Sequence, residues 1–165
     1  MTKKILVAYA TRAGSTAEIA RVIGETLAAG GAAVDVLPIR SVTDLTGYQA
    51  VVLGSAVRYS SLLPEAVKFV EQNKAALEQR PLAIFAAHIL NMGSDEASRQ
   101  NRHVYLDAVR KLVPPRAEAC FAGVGDLKKV SFIEGLIGKM VKSPIGDYRD
   151  WPAIRSWSES LENVL

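Results

Sequence analysis

Short runs of uninterrupted apolar residues alternate along this chain with stretches whose apolar positions recur every three or four residues. Ile5-Leu6-Val7-Ala8-Tyr9 is the first run, bounded by lysines and a polar turn. A run apolar at every position predicts a strand buried on both faces, as in a parallel sheet. Ala17, Ile19, Ala20, Ile23 and Leu27 follow at helical spacing, with Ser15 or Thr16 as the expected cap and Gly30-Gly31 as the stop. Ala33 to Leu37 predicts a second strand and Ala50 to Gly54 a third, with a polar turn over 44–48 between them. Ser55 to Leu63 reads as a loop. Pro64 suits a first helical residue, and Ala66, Val67, Phe69, Val70, Ala76 and Leu77 predict one helix that Pro81 ends. Leu82 to Ala87 is the fourth run and His88 to Ser94 a loop. Asp95 is the expected cap of a helix through Val104, Leu106, Val109 and Leu112, which Pro114-Pro115 closes. Ala117 to Val124 predicts a fifth strand. A last helix runs from Trp151 or Pro152 to Leu161 or beyond.

Five strands alternating with helices predict an α/β fold, a five-stranded parallel sheet between two helical layers with right-handed crossovers. The expected strand order is 2-1-3-4-5. In such a sheet ligands bind beyond the carboxyl ends of the strands, where the winding reverses between strands 1 and 3. The loops expected at a site are therefore 11–16, 55–61 and 88–94.

Composition narrows the class. The 165 residues predict one domain, 1–165, long enough to bury roughly 70% of its unfolded surface. Cys120 is the only cysteine, which excludes a disulfide framework and a thiolate metal cluster, and no metal site is expected. Its neighbours Ala119, Phe121 and Ala122 predict a buried strand thiol. A reducing, cytoplasmic setting fits. The run after Lys3-Lys4 is too short for a signal peptide. No stretch approaches the roughly 20 apolar residues that cross a bilayer. The net charge of +3 is too weak to imply nucleic acid.

The stretch TRAGSTAEIA, 11–20, leads from the first strand into a helix N-terminus. Free backbone N–H groups and the helix dipole favour an anion there. Thr11, Ser15 and Thr16 add hydroxyls, and Gly14 permits close approach or positive φ. Arg12 adds a charge or points into solvent. Two readings follow, a phosphate cradle or a capped helix with a polar turn. The loop lacks the lysine of GxxxxGK(S/T), which argues against triphosphate hydrolysis, and it lacks GxGxxG. Tyr9-Ala10-Thr11 offers no carboxylate for the Mg²⁺ of a receiver domain of the same topology.

An apolar strand, then TxxGST, then a helix resembles the flavodoxin family. TRAGST together with Gly54-Ser55-Ala56-Val57-Arg58-Tyr59 and GDYRDW at 146–151 is most similar to its menaquinone-dependent protoporphyrinogen oxidase branch. The resemblance covers nearly the whole chain. It implies a flavodoxin-like three-layer sandwich that binds FMN, with the phosphate on Thr11, Arg12, Ala13, Gly14, Ser15 and Thr16. It also implies an isoalloxazine ring between Ser55, Ala56, Val57, Arg58 and Tyr59 on one side and His88, Ile89, Leu90 and Asn91 on the other. Arg58 favours an anionic reduced flavin or is a surface charge. His88 is a proton donor or acceptor, or a hydrogen-bonded strand end.

Residues 126–149 are roughly twenty more than a βα connection needs. Val130, Ile133, Leu136, Ile137, Met140 and Val141 recur at helical spacing beside Lys128, Lys129, Lys139 and Lys142. This insertion reads as an extra helix, an apolar lip admitting a quinone or porphyrin, or a basic surface over 128–142 in peripheral contact with the inner face of a membrane. The resemblance implies an FMN-dependent oxidoreductase passing electrons from an apolar substrate such as protoporphyrinogen IX to a quinone. An electron carrier serving a partner protein is the alternative.

Overall fold

β1 (Lys4–Ala10), β2 (Ala33–Pro38), β3 (Ala50–Arg58), β5 (Leu82–His88) and β6 (Ala117–Ala122) pair in parallel in the order β2-β1-β3-β5-β6. This is the expected order once the short β4 (Ser61–Leu62), which pairs back on β3, is numbered. The computed structural model describes residues 2–125 and 146–165. The remaining elements are α1 (Ser15–Ala29), α2 (Pro64–Gln72), α3 (Lys74–Glu78), α4 (Glu96–Val104), α5 (Asp107–Leu112), β7 (Val124–Gly125), β8 (Gly146–Asp147) and α6 (Trp151–Ser160).

Side chains alternate between the faces of a strand, so each central strand feeds two cores. Leu6, Ala8, Leu53 and Ile84 pack with Phe69 and Val70 of α2, Leu77 of α3 and Val109 of α5. Ile5, Val7, Val52 and Phe85 pack with Ile19, Ile23 and Leu27 of α1 and Ile154 of α6. Each fully buried Leu, Ile or Phe contributes roughly 1.5–3 kcal/mol. This explains why β1, β3 and β5 are apolar at nearly every position. On the second face Phe85 meets Phe121 and Trp157 at ring-centroid distances of 6.1 and 6.3 Å. The Phe85 ring also covers Gly54, where an added Cβ would lie 2.0 Å from Cζ. Glycine is therefore required there by close approach.

Several expected elements differ in detail. The stretch 55–63 is a hairpin rather than a loop. β3 continues to Arg58, turns at Tyr59-Ser60 and returns through Val57↔Leu62 and Arg58↔Ser61 pairing, burying Leu62 and Leu63. The single helix expected over 64–77 breaks at Asn73, whose side-chain amide donates to the Phe69 carbonyl at 2.8 Å and competes with the helical ladder. The helix expected to run to Leu112 breaks because α4 has no buried residue, and the chain turns to bury Tyr105 and Leu106. The fifth strand ends at Ala122. Cys120 is only partly covered, and burial pushes its thiol up to about 11. The helical pattern and lysines of 128–142 lie outside the described residues. Among the described residues no helix is long and apolar enough to cross a membrane.

Candidate functional site

Register brings the expected loops to one edge. Ala10 pairs with Ser55, Ala56 with Ala87, and His88 with Ala122, so β1, β3, β5 and β6 end at nearly the same level. The loops 11–14, 55–60 and 88–91 leave the sheet side by side. Gly123 joins them, since its N–H donates to the His88 carbonyl at 2.7 Å. A Cβ on Gly123 would lie 3.5 Å from the Ser15 hydroxyl and 3.6 Å from the His88 carbonyl oxygen.

The loop after β1 is built around Gly14. Its φ of 94° is left-handed, which glycine adopts without the steric cost other residues meet. Its N–H donates to the Thr11 hydroxyl at 2.9 Å, which folds the loop over. Gly14, not Ser15 or Thr16, is the N-cap of α1, and no side chain caps the helix. The expected hydroxyl caps are thus corrected: both residues already lie inside the first turn. Thr16 is fully buried, and its hydroxyl has no hydrogen-bond partner. It is the one such side-chain atom among the described residues. An unsatisfied buried hydroxyl costs about 1–3 kcal/mol. It sits in the turn where free N–H groups and the helix dipole attract anions, and nothing lies within 4 Å of a Cβ placed on Gly14. The capped-helix reading requires the hydroxyls to be used by the helix, and they are not.

Arg12 does not simply point into solvent. Its guanidinium makes a two-point ion pair with Glu65 on the first turn of α2, with Nη2 2.9 Å from Oε2. This contact holds Glu65 below the usual carboxylate range, and Arg58 adds a weaker pull in the same direction. Ala13 is partly exposed at the loop tip.

Ser55 is fully buried, and its hydroxyl works inside the hairpin, donating to the Ala56 carbonyl at 2.8 Å and accepting from the Leu63 N–H at 3.0 Å. Ala56 and Val57 are half-buried. Tyr59 stands 75% exposed at the tip. Tyr59 and Ser60 both have positive φ, 51° and 58°, the pattern of a type I′ turn made here without glycine. Opposite, His88 is buried and its Nδ1 lies 2.8 Å from the Leu90 carbonyl oxygen. A carbonyl accepts only, so Nδ1 carries the proton and Nε2 keeps its lone pair. Burial, against the pull of that hydrogen bond, holds the imidazole pKa below its ordinary value. Ile89 is half-buried and Leu90 exposed.

Tyr105, Arg102 and Asn101, outside the expected set, hold the expected Asn91 in the second segment. Asn91 takes φ 58° and donates to the Tyr105 hydroxyl at 2.8 Å. Arg102 donates to the carbonyls of Asn91 and Gly93, and Asn101 to the Asn91 side chain. At the other rim β7 and β8 pair as a short ribbon, and the Tyr148 N–H donates to the Gly123 carbonyl at 3.1 Å. Arg149 pairs with Asp147 at 2.7 Å and with Glu18 of α1, and stacks on Trp151 at 4.7 Å. The described ends of the insertion are thereby tied to α1 beside the 11–16 loop. The one sequence signal for this clamp is the GDYRDW stretch. Tyr105 and Arg102 give none, because their partners belong to a distant loop.

The arrangement sets the uncapped first turn of α1 next to the 55–60 and 88–91 segments, which carry the partly exposed apolar side chains of Ala56, Val57, Ile89 and Leu90. Among the described residues no group of three or more His, Cys, Asp or Glu side chains stands ready to hold a metal ion.

A family model for the flavodoxin domain matches residues 6–151. Among solved structures, a flavodoxin from the domain Archaea shares 17% identity over 96% of this chain and 99% of its own, with a TM-score of 0.55. The two-electron reduced flavodoxin of Megasphaera elsdenii shares 16%, over 97% and 99%, with a TM-score of 0.58. Rubredoxin oxygen:oxidoreductase from Desulfovibrio gigas shares 14% over 98% of this chain, which spans only 36% of that one, with a TM-score of 0.59. Among curated proteins no sequence match is found.

Proposed function

The chain belongs to the flavodoxin domain family, and from that premise we propose that it binds FMN without a covalent link and works as an electron-transfer flavoprotein. The observation that carries the proposal is the buried, unpartnered hydroxyl of Thr16 in the first turn of an uncapped helix. A phosphate oxygen supplies the acceptor that this hydroxyl lacks. Ser15 adds a second hydroxyl, and Thr11 shapes the loop through Gly14. Ala56, Val57, Ile89 and Leu90 offer the apolar walls that a flat ring needs, and exposed Tyr59 lies within the same hairpin. When bound, FMN supplies the electron chemistry, which no protein side chain can provide alone. The chain's own residues bind, orient and exclude water. His88 presents Nε2 as a proton acceptor, with its tautomer set by Leu90.

The finer reading concerns donor and acceptor. We propose that the chain takes electrons from an apolar substrate of the protoporphyrinogen class and passes them to a quinone, which leaves as quinol. Its support is the TRAGST, GSAVRY and GDYRDW stretches and the basic balance of the chain. The exposed apolar side chains of Leu90 and Tyr148 add to it. A carrier serving a partner protein uses the same cofactor without turnover of its own.

The test starts with purified protein, incubated with excess FMN, desalted and scanned in the visible range. Near-stoichiometric retained flavin is the expected result, and its absence overturns the cofactor. Loaded protein is then mixed with protoporphyrinogen IX and menadione. Porphyrin fluorescence growing with enzyme concentration supports the finer reading, and rates equal to the blank leave the carrier.

A further inference from the structure

On the side of the 11–14 loop away from residues 55–60 and 88–91, the carboxyl ends of β1 and β2, the turn 39–43 and the length of α2 line a cavity of about 730 Å³. That volume falls within the range of small-molecule sites. None of the residues 55–60 or 88–91 lines it. It opens at the carboxyl ends of β1 and β2, the edge where this architecture places ligands, and continues along α2 as far as Asn73.

Its lining is two-sided in chemistry. Ile39 and Phe69 give it apolar surface on the α2 side of the sheet, and Tyr9, which packs with the α1 side, borders it. Arg12, Arg40 and Lys68 supply three cations against the single carboxylate of Glu65, which is already engaged by Arg12. Arg40 and Lys68 are exposed and make no ion pair among the described residues. Asn73 uses its amide N–H on the Phe69 carbonyl, which leaves its side-chain oxygen as an acceptor. Two unpaired cations, an aromatic-edged wall and one acceptor match a small organic phosphate with a flat ring that bears N–H groups.

We propose that this cavity is an anion site of its own, taking a nucleotide-sized phosphate compound with its phosphates on Arg40 and Lys68. Its ring lies against Ile39 and Phe69. The site does not depend on the FMN reading, and it shares only the wall formed by residues 11 and 12.

The probe is ADP, titrated into ¹⁵N-labelled full-length protein with and without FMN. Saturable amide shifts over 39–43 and 68–73 are expected in both samples, with the flavin absorbance unchanged. Arg40→Glu and Lys68→Glu, both at exposed positions, are each expected to weaken ADP about tenfold while leaving FMN affinity within about twofold. Displacement of FMN by ADP overturns the proposal, as do shifts confined to 11–16 in the FMN-free sample, since the anion then sits in the cradle. Wild-type ADP affinity in both variants, or no saturable shift, overturns it as well. Should FMN fail to bind at all, the ADP titration of the FMN-free sample still decides the matter.

Discussion

Arg12, in the loop between β1 and α1, is held in a two-point ion pair by Glu65, 53 positions further along the chain. Both side chains are 39% exposed, so the pair adds little to stability. Its consequence is electrostatic. The Glu65 carboxylate offsets the charge of Arg12, the cation of residues 11–16 to which the proposed FMN phosphate is assigned. Glu65→Gln removes that negative charge while keeping the side chain's size. FMN affinity is expected to rise about three- to tenfold, with folding stability unchanged to within about 0.5 kcal/mol. Quenching of flavin fluorescence on titration measures it. A fall in affinity means instead that Glu65 orients Arg12 toward the phosphate.

Thr16→Val separates binding from folding. Valine keeps the shape and removes a hydroxyl that is buried and unpartnered in the FMN-free protein. Urea denaturation of that form is expected to show a gain of about 1 kcal/mol. FMN affinity is expected to fall about tenfold or more, because a hydrogen bond to a charged group is lost. If both quantities fall, Thr16 supports the fold and does not face the phosphate.

Much of this fold is legible in the sequence because burial on both faces leaves a plain mark. β1 and β5 have no solvent side, so Ile5 to Ala8 and Leu82 to Ala87 are apolar throughout, and the interruptions fall where helices cross over. The strand-to-helix junction at 11–16 is legible for a related reason, since three hydroxyls and a glycine crowd it. Its cap misleads because Ser15 and Thr16 are also good cap residues, and only the left-handed Gly14 reveals that the helix starts a residue earlier. The hairpin at 59–60 is hidden because a type I′ turn usually signals itself with an asparagine and a glycine. The breaks at Asn73 and Tyr105 depend on what packs beneath the helix, which local periodicity does not carry. The Arg12–Glu65 and Arg102–Asn91 contacts join residues far apart or in different elements, and no spacing rule reaches them.

The Tyr59-Ser60 turn gives a direct test of strain kept for function. Two non-glycine residues at positive φ cost about 1 kcal/mol or more each. The double substitution Tyr59→Asn with Ser60→Gly installs the favoured type I′ pair, and it is expected to raise stability by about 1 kcal/mol. If the Tyr59 ring covers the flavin, the same double variant loses FMN affinity severalfold, whereas Ser60→Gly alone gains stability and keeps affinity. Thermal unfolding and flavin titration of the two variants read this out. Equal FMN affinity in both means that Tyr59 serves only the turn.

Gly54→Ala tests the close packing under the site. The added methyl would meet a Phe85 ring that is itself fully buried against Phe121 and Trp157. The ring has no free space to swing into, so overpacking is expected to cost about 1–3 kcal/mol. The double variant with Phe85→Leu should recover part of the loss, measured by urea denaturation. An unperturbed single variant means that the sheet adjusts by a shift of β3 and the contact is soft.

His88 makes folding depend on pH in a direction that its surroundings determine. The folded protein holds the imidazole neutral, because the ring is buried and Arg102 opposes its charging. The hydrogen bond to Leu90 pulls the other way without reversing the shift. The folded pKa is therefore below the unfolded value of 6.5. The unfolded chain takes up a proton first as pH falls, so stability from neutral His88 is full above about 6.5 and declines below it until the folded pKa is reached. Carboxylates, which titrate lower, blur this in the wild type alone, so the comparison is with His88→Gln. Urea denaturation at about pH 8 and about pH 5.5 is expected to show a loss of stability in the wild type that exceeds the loss in the variant. A redox titration of FMN-loaded wild type and His88→Gln across the same pH range reports whether Nε2 faces the flavin, since a proton acceptor there makes the flavin's reduction potential depend on His88. Identical pH profiles for the two proteins would place the titrating group elsewhere.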